Sequence, residues 1–154
     1  MRVRRTRAAA VMLALAMAGP RASADDRSPP RLAPCPKSPN CVSSLAPDDA
    51  HRVAPFRIAG DPARAWRAAR AAVQSIPRTR IAEERPDYLR AECTSRLFRF
   101  VDDLELALDL GAGRIEVRSA SRTGYGDLGV NRARVEALRE QLVGAGALKA
   151  GKER

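Results

Sequence analysis

The stretch LFRFVDDLELALDLGAGRIEVRSAS, Leu97 to Ser121, decides the fold. Leu104, Leu106, Leu108 and Leu110 alternate with Glu105, Ala107 and Asp109. A period of two puts the leucines on one face of a strand and the acids on the other. Gly111-Ala112-Gly113 makes a turn, and RIEVRSAS follows with Ile115 and Val117 facing inward and Arg114, Glu116 and Arg118 facing outward. Two such segments joined by a short glycine turn read as a β-hairpin with one packed face and one charged face.

The same period extends upstream. TRIAEE, from Thr79, and DYLRAECTS, from Asp87, read as two shorter strands separated at Arg85-Pro86. Cys93 alternates with Leu89 and Ala91 and reads as a buried free thiol. HRVAPFRIA, His51 to Ala59, reads as a first strand, with Pro55 marking an edge or a bulge. Between it and the meander lies GDPARAWRAARAAVQSI. Asp61 suits the N-cap, Pro62 the first helical position, and Trp66, Ala69, Val73 and Ile76 form one apolar stripe before Pro77. Arg64, Arg67 and Arg70 flank that stripe as a solvated face. After the meander, NRARVEALREQLVG reads as a second helix. Asn131 is the expected N-cap, Val130 and Val135 form a staple, and Val135, Leu138 and Leu142 form the packing stripe. Gly144 ends it. The order is β-α-β-β-β-β-α. The expected fold is an α+β two-layer sandwich, an antiparallel sheet of about five strands with two helices on one face.

The N-terminus carries a basic segment, MRVRRTR, then the apolar run Ala8 to Gly19, then Ala22-Ser23-Ala24. This is the pattern of a cleaved secretory signal over residues 1–24, and the run is too short to span a bilayer. Sec export is the simpler route, although Arg4-Arg5 is compatible with twin-arginine export. A lipid-attachment box at Leu32-Ala33-Pro34-Cys35 is rejected because Pro34 stands where a small residue is needed. The signal holds five arginines (2, 4, 5, 7 and 21) and no acid. The remaining chain therefore has 28 − 5 = 23 basic residues against 18 acidic ones, a net charge of +5 rather than +10. That is an ordinary soluble surface and gives no support to a nucleic-acid partner.

Residues 25–33 read as a polar, disordered leader, 34–144 as one domain, and 145–154 as a flexible tail. Cys35 and Cys41 frame CPKSPNC, and in an oxidising compartment they are expected to form a disulfide. Two cysteines with no adjacent histidine do not make a metal site. A periplasmic or secreted location follows from the signal, and the mature chain is not an integral membrane protein.

The segment RSASRTGYGDLGVNRAR, Arg118 to Arg134, poses the functional question. With Asn131 as N-cap, Arg132 and Arg134 fall at the first and third positions of the last helix, where the macrodipole disfavours cations. Arg118 and Arg122 approach from the preceding strand, and Gly124, Gly126 and Gly129 loosen the turn. Guanidinium groups beside a helix N-terminus favour an anion. Two readings stay open. One is an anion site built from Arg118, Ser121, Arg122, Asn131, Arg132 and Arg134. The other is a structural clamp in which arginines pair with Asp102, Asp103 or Asp127. Asp102 and Asp103 are adjacent on a strand and point to opposite faces, so they do not converge as a catalytic pair.

SPNCVSS (Ser38–Ser44), FRFVDDLE (Phe98–Glu105) and RSASRTGYGDLGVNRAR, with the Trp66 helix, resemble the DUF1499 family over about Pro34 to Leu142. Its signature falls here on Ser38, Asn40, Cys41, Asp102, Asp103, Arg118, Ser121, Arg122, Gly124, Asp127, Asn131 and Arg132. The resemblance implies no activity, substrate or cofactor, and so carries over no catalytic residue. His51, the single histidine, would have to find a nucleophile in space for an enzyme reading. The remaining readings are a non-catalytic binding or structural module, with a small anionic ligand or lipid head group as candidate partner, and an envelope protein–protein interaction module. No cofactor signature is present.

Overall fold

A computed structural model describes residues 32–151. The signal sequence and most of the leader expected at 1–31 lie outside the described residues, as does the end of the tail at 152–154.

The meander forms as the alternation dictates. β3 (Thr79–Arg85), β4 (Tyr88–Thr94), β5 (Val101–Asp109) and β6 (Arg114–Ser121) pair antiparallel in sequence order. Two short strands, β1 (Cys41–Ser43) and β2 (Phe56–Arg57), both pair with β6, giving a spatial order β1-β6-β5-β4-β3 with β2 beside β1 on the same edge of β6. β1 lies within SPNCVSS, which the pattern alone leaves as a loop. The first expected strand, 51–59, shrinks to two residues because Pro55 has no N–H to donate.

α1 (Pro62–Ser75) starts as expected. Asp61 accepts from the backbone N–H groups of Ala63 and Arg64, at 3.1 and 3.0 Å. Ala65, Ala69, Ala72 and Val73 are its buried positions, with Trp66 and Ile76 packed at the rim. α2 (Val130–Gly144) buries Val135, Leu138 and Leu142. Val130 is exposed, so it makes no staple. Both helices cover the leucine face of the sheet, where Leu89, Leu104, Leu106, Ile115 and Val117 close one core with Phe56. Sequence and structure agree on the α+β two-layer sandwich.

Three further boundaries differ from expectation. Strand β5 begins at Val101, and Leu97–Phe100 form the exposed β4–β5 turn, closed by Ser95 N–H to the Phe100 carbonyl at 2.8 Å. The tail docks. Ala147 and Leu148 are buried, Ala59 N–H donates to Ala147, and Lys149 N–H donates to Arg57. The leader docks likewise at its end, where Leu32 packs on Tyr88 and Ala107 on the opposite face of the sheet. Cys35 and Cys41 form a disulfide, and Cys93 is a buried free thiol, its pKa pushed up by burial.

Candidate functional site

The strand-to-helix segment 118–134 splits between the two faces of the sheet. Arg118 lies on the charged side of β6, and Arg122, one residue past the strand with its N–H on the Val101 carbonyl, keeps the same parity. Arg118 donates to Glu105 at 2.9 Å, and the opposite oxygen of Glu105 accepts from Tyr88 Oη at 3.0 Å. Burial and then Glu105 push the Tyr88 phenol well above its usual range. Arg122 grips Asp103 through Nε and Nη2, both at 2.8 Å, and reaches Glu92 at 2.8 Å. Arg90 adds a bond to Asp103 at 3.1 Å. The guanidinium of Arg122, helped by Arg90, holds the Asp103 carboxyl below the usual carboxylate range. Arg122 likewise lowers Glu92.

The helix side is a closed polar network. Arg134 donates to Asp102 at 2.6 Å, with the two side chains only 13% and 7% exposed. Its Nη1 also donates to Ser119 Oγ at 2.9 Å and Asn131 Oδ1 at 2.6 Å. Asn131 is fully buried, and its amide nitrogen donates to the Asn40 carbonyl at 3.1 Å, Ser121 Oγ at 3.0 Å and Asp127 at 2.8 Å. Asn40 in turn donates to the Gly124 carbonyl at 2.6 Å and accepts from Ser38 Oγ at 2.8 Å. Segment 38–40, β6 and the start of α2 thus meet at the Asn131 side chain, and Arg134 ties β5 to them through Asp102.

The cap of α2 differs from the sequence expectation. Gly129 is the N-cap residue, with φ 80°, and Asn131 stands inside the first turn. Asp127 supplies the carboxylate instead, accepting from the backbone N–H of Gly129 at 3.0 Å and of Asn131 at 2.8 Å. Burial opposes its charge, but those N–H groups outweigh it and hold the carboxyl below its usual value. Asp127 therefore screens the helix N-terminus rather than pairing with an arginine. Arg132 and Arg134 move two positions further into the helix than expected.

Arg132 binds main-chain oxygens, donating to Arg52 and Ala50 at 2.8 Å each. Arg139, which no sequence signal singled out, does the same to Pro55 and Ala54 at 3.0 and 2.6 Å, and its guanidinium lies over the Phe56 ring. These two arginines fix the 50–55 crossing onto α2. A cleft of about 520 Å³ beside them is lined by Arg52, Arg132 and Arg139 and also by Asp49 and Glu136. The six residues proposed from sequence as one anion site are therefore not brought together. Arg118 and Arg122 lie on the open sheet face, Ser121, Asn131 and Arg134 beneath it, and Arg132 on the helix flank.

His51 bonds Asp48 through Nδ1 at 2.7 Å and the Ser38 carbonyl through Nε2 at 3.2 Å. Asp48 foremost, with the carbonyl, raises its pKa. Both ring nitrogens are thus engaged by a carboxylate and a main-chain carbonyl. No group of three or more potential metal ligands occurs among the described residues, and no helix there is long and apolar enough to cross a membrane.

The family model described as "Protein of unknown function (DUF1499)" matches residues 31–142, and the chain belongs to that family. A search of curated proteins returned no match.

Proposed function

We propose that this DUF1499 domain is a non-catalytic exported module in which the segment from Arg118 to Arg134 is a structural joint. Its role is to weld the last helix, the 38–44 strand and the charged sheet into one rigid body. The observation that carries the reading is the Asp102–Arg134 pair at 2.6 Å, largely buried and cross-linked to Ser119 and Asn131. Each guanidinium of the segment already has acceptors. Arg118 has Glu105, Arg122 has Asp103 and Glu92, Arg132 has two carbonyls, and Arg134 has Asp102. An external anion would have to displace bonds already formed, including charge-assisted ones. The disulfide supports export, since such bonds persist in oxidising compartments.

Melting temperatures of Arg134→Ala and Arg122→Ala, each with and without inorganic phosphate at constant ionic strength, test this. The joint predicts a large loss for Arg134→Ala, a small one for Arg122→Ala, and no phosphate response in the unaltered chain. A saturable phosphate stabilisation that disappears in either variant would replace the joint by an anion site.

A further inference from the structure

One end of the sheet gathers a second chemistry. Thr94 N–H donates to the Arg78 carbonyl and Arg122 N–H to the Val101 carbonyl, so the α1–β3 connection, the β4–β5 turn and the β6–α2 segment leave the sheet together. The β4–β5 turn is built firmly. Ser95 N–H bonds the Phe100 carbonyl, and Phe100 N–H bonds Ser95 Oγ at 2.9 Å. That closure holds Arg96-Leu97-Phe98-Arg99 beyond the paired backbone. Leu97, Phe98 and Phe100 are 79%, 70% and 52% exposed. The two phenyl rings stack with centroids 5.6 Å apart, so they present one apolar surface. Eight large hydrophobic residues are exposed among the described residues, and six lie in this turn or in the neighbouring segment at Tyr125, Leu128 and Val130. Scattered exposure needs no explanation, but concentration at one end does.

The charges within the turn have one sign. Arg96 and Arg99 flank Leu97 and Phe98, and the turn holds no carboxylate. Behind it a cleft of about 340 Å³ is lined by Arg78, Arg80, Arg96 and Arg99, with Glu92 as its single carboxylate. Glu92 is already paired, with Arg80 at 2.6 Å and Arg122 at 2.8 Å. An apolar tip with arginines at its base matches the layering of a lipid surface, acyl chains below and phosphates above. A protein partner of equal fit would need a hydrophobic socket ringed by acids.

We propose that this end of the sheet docks on an anionic phospholipid bilayer. Leu97, Phe98 and Phe100 enter the headgroup boundary, and Arg78, Arg96 and Arg99 engage lipid phosphates. The surface uses none of the residues of the polar joint except by proximity, so either assignment can fail without the other.

The test places a reporter at the tip of the full chain as Phe98→Trp, with Leu97→Trp as a second reporter should the first fail to fold. The chain's one native tryptophan, Trp66, lies partly buried in α1, and the unaltered chain supplies its background. Vesicles of phosphatidylglycerol should shift the reporter's emission to the blue, and brominated acyl chains should quench it. Phosphatidylcholine vesicles should do neither at the same lipid concentration. Arg96→Gln with Arg99→Gln should weaken partitioning by about 30-fold, the loss expected for two cations at an anionic surface. A tryptophan at the tip reports locally, so association through the apolar run at 8–19 does not mimic the signal. Emission unchanged by either lipid, an equal response to both lipids, indifference to the arginine substitutions, or the same shift from inorganic phosphate alone would each overturn the proposal.

Discussion

Replacing Asn131 with alanine should cost about 3 kcal/mol, a figure that follows from what its neighbours keep. Five polar partners touch its side chain: the Asn40 carbonyl, Ser121 Oγ, Asp127, Ser119 Oγ and Arg134. Adding five net hydrogen bonds at about 1 kcal/mol each would give about 5 kcal/mol. Four partners, however, retain another bond. Asn40 O keeps Ser121 N–H, Asp127 keeps the backbone of residue 131, Ser119 keeps Arg134, and Arg134 keeps Asp102. The loss is thus dominated by the vacated space in a fully buried site and by the unpaired Ser121. In a domain of this size that lowers the melting temperature by roughly 10 °C. Urea unfolding at constant m-value measures it. Asn131→Asp sharpens the test. It conserves volume but turns the donating nitrogen into an oxygen facing Asp127 at 2.8 Å and the Asn40 carbonyl at 3.1 Å. It should cost at least as much as alanine. A loss below about 1 kcal/mol for alanine, or an aspartate variant milder than alanine, would refute the claim that donation from this amide holds the joint.

Three further outcomes follow from the geometry. His51 has a pKa raised above its ordinary 6.5, so its contribution to stability is fully present below that value and is lost as pH rises through the higher folded value. As the single histidine it can be followed by NMR titration, and an apparent pKa at or below 6.5 would contradict the Asp48 and Ser38 contacts. Asp103 behaves oppositely. Its pKa is depressed, so its contribution is present above the ordinary 3.8 and lost as pH falls through the lower folded value. Arg122→Ala should therefore flatten the acid limb of the stability profile, and an unchanged limb would count against the Arg122–Asp103 bond. Removing the disulfide as Cys35→Ser with Cys41→Ser opens a loop of sequence separation 6 and should cost about 2 kcal/mol by urea unfolding, against no change if the 35–41 segment is held by other contacts.

Much of this architecture was readable because strand parity is rigid. The leucines of β5 had to share one face, Asp102 and Asp103 had to separate, and Arg118 and Arg122 had to travel together. Parity does not choose partners. Arg118 meets Glu105 and Arg122 meets Glu92 through the registers of β4, β5 and β6, which no single stretch encodes. β1 is three residues long and is a strand only because β6 offers an edge. Asn131 looked like a cap because its type suits one, but Asp127 lies four residues earlier and its carboxylate reaches the helix N–H groups, which frees Asn131 to turn inward. Leu97, Phe98 and Phe100 sit in a stretch whose apolar content suits a strand, yet the closure by Ser95 makes it a turn and leaves them in solvent. Arg132 and Arg139 hold main-chain carbonyls, an acceptor that side-chain patterns do not reveal.

The joint is tested most directly by a double-mutant cycle between Asp102 and Arg134, using Asp102→Asn and Arg134→Met to conserve volume. Arg134→Met alone should cost about 3–5 kcal/mol because it leaves a buried carboxylate without its cation. The double variant should recover part of that loss, giving a coupling energy of about 2–3 kcal/mol. A coupling below about 0.5 kcal/mol would mean that the two groups stand close without holding the helix to the sheet.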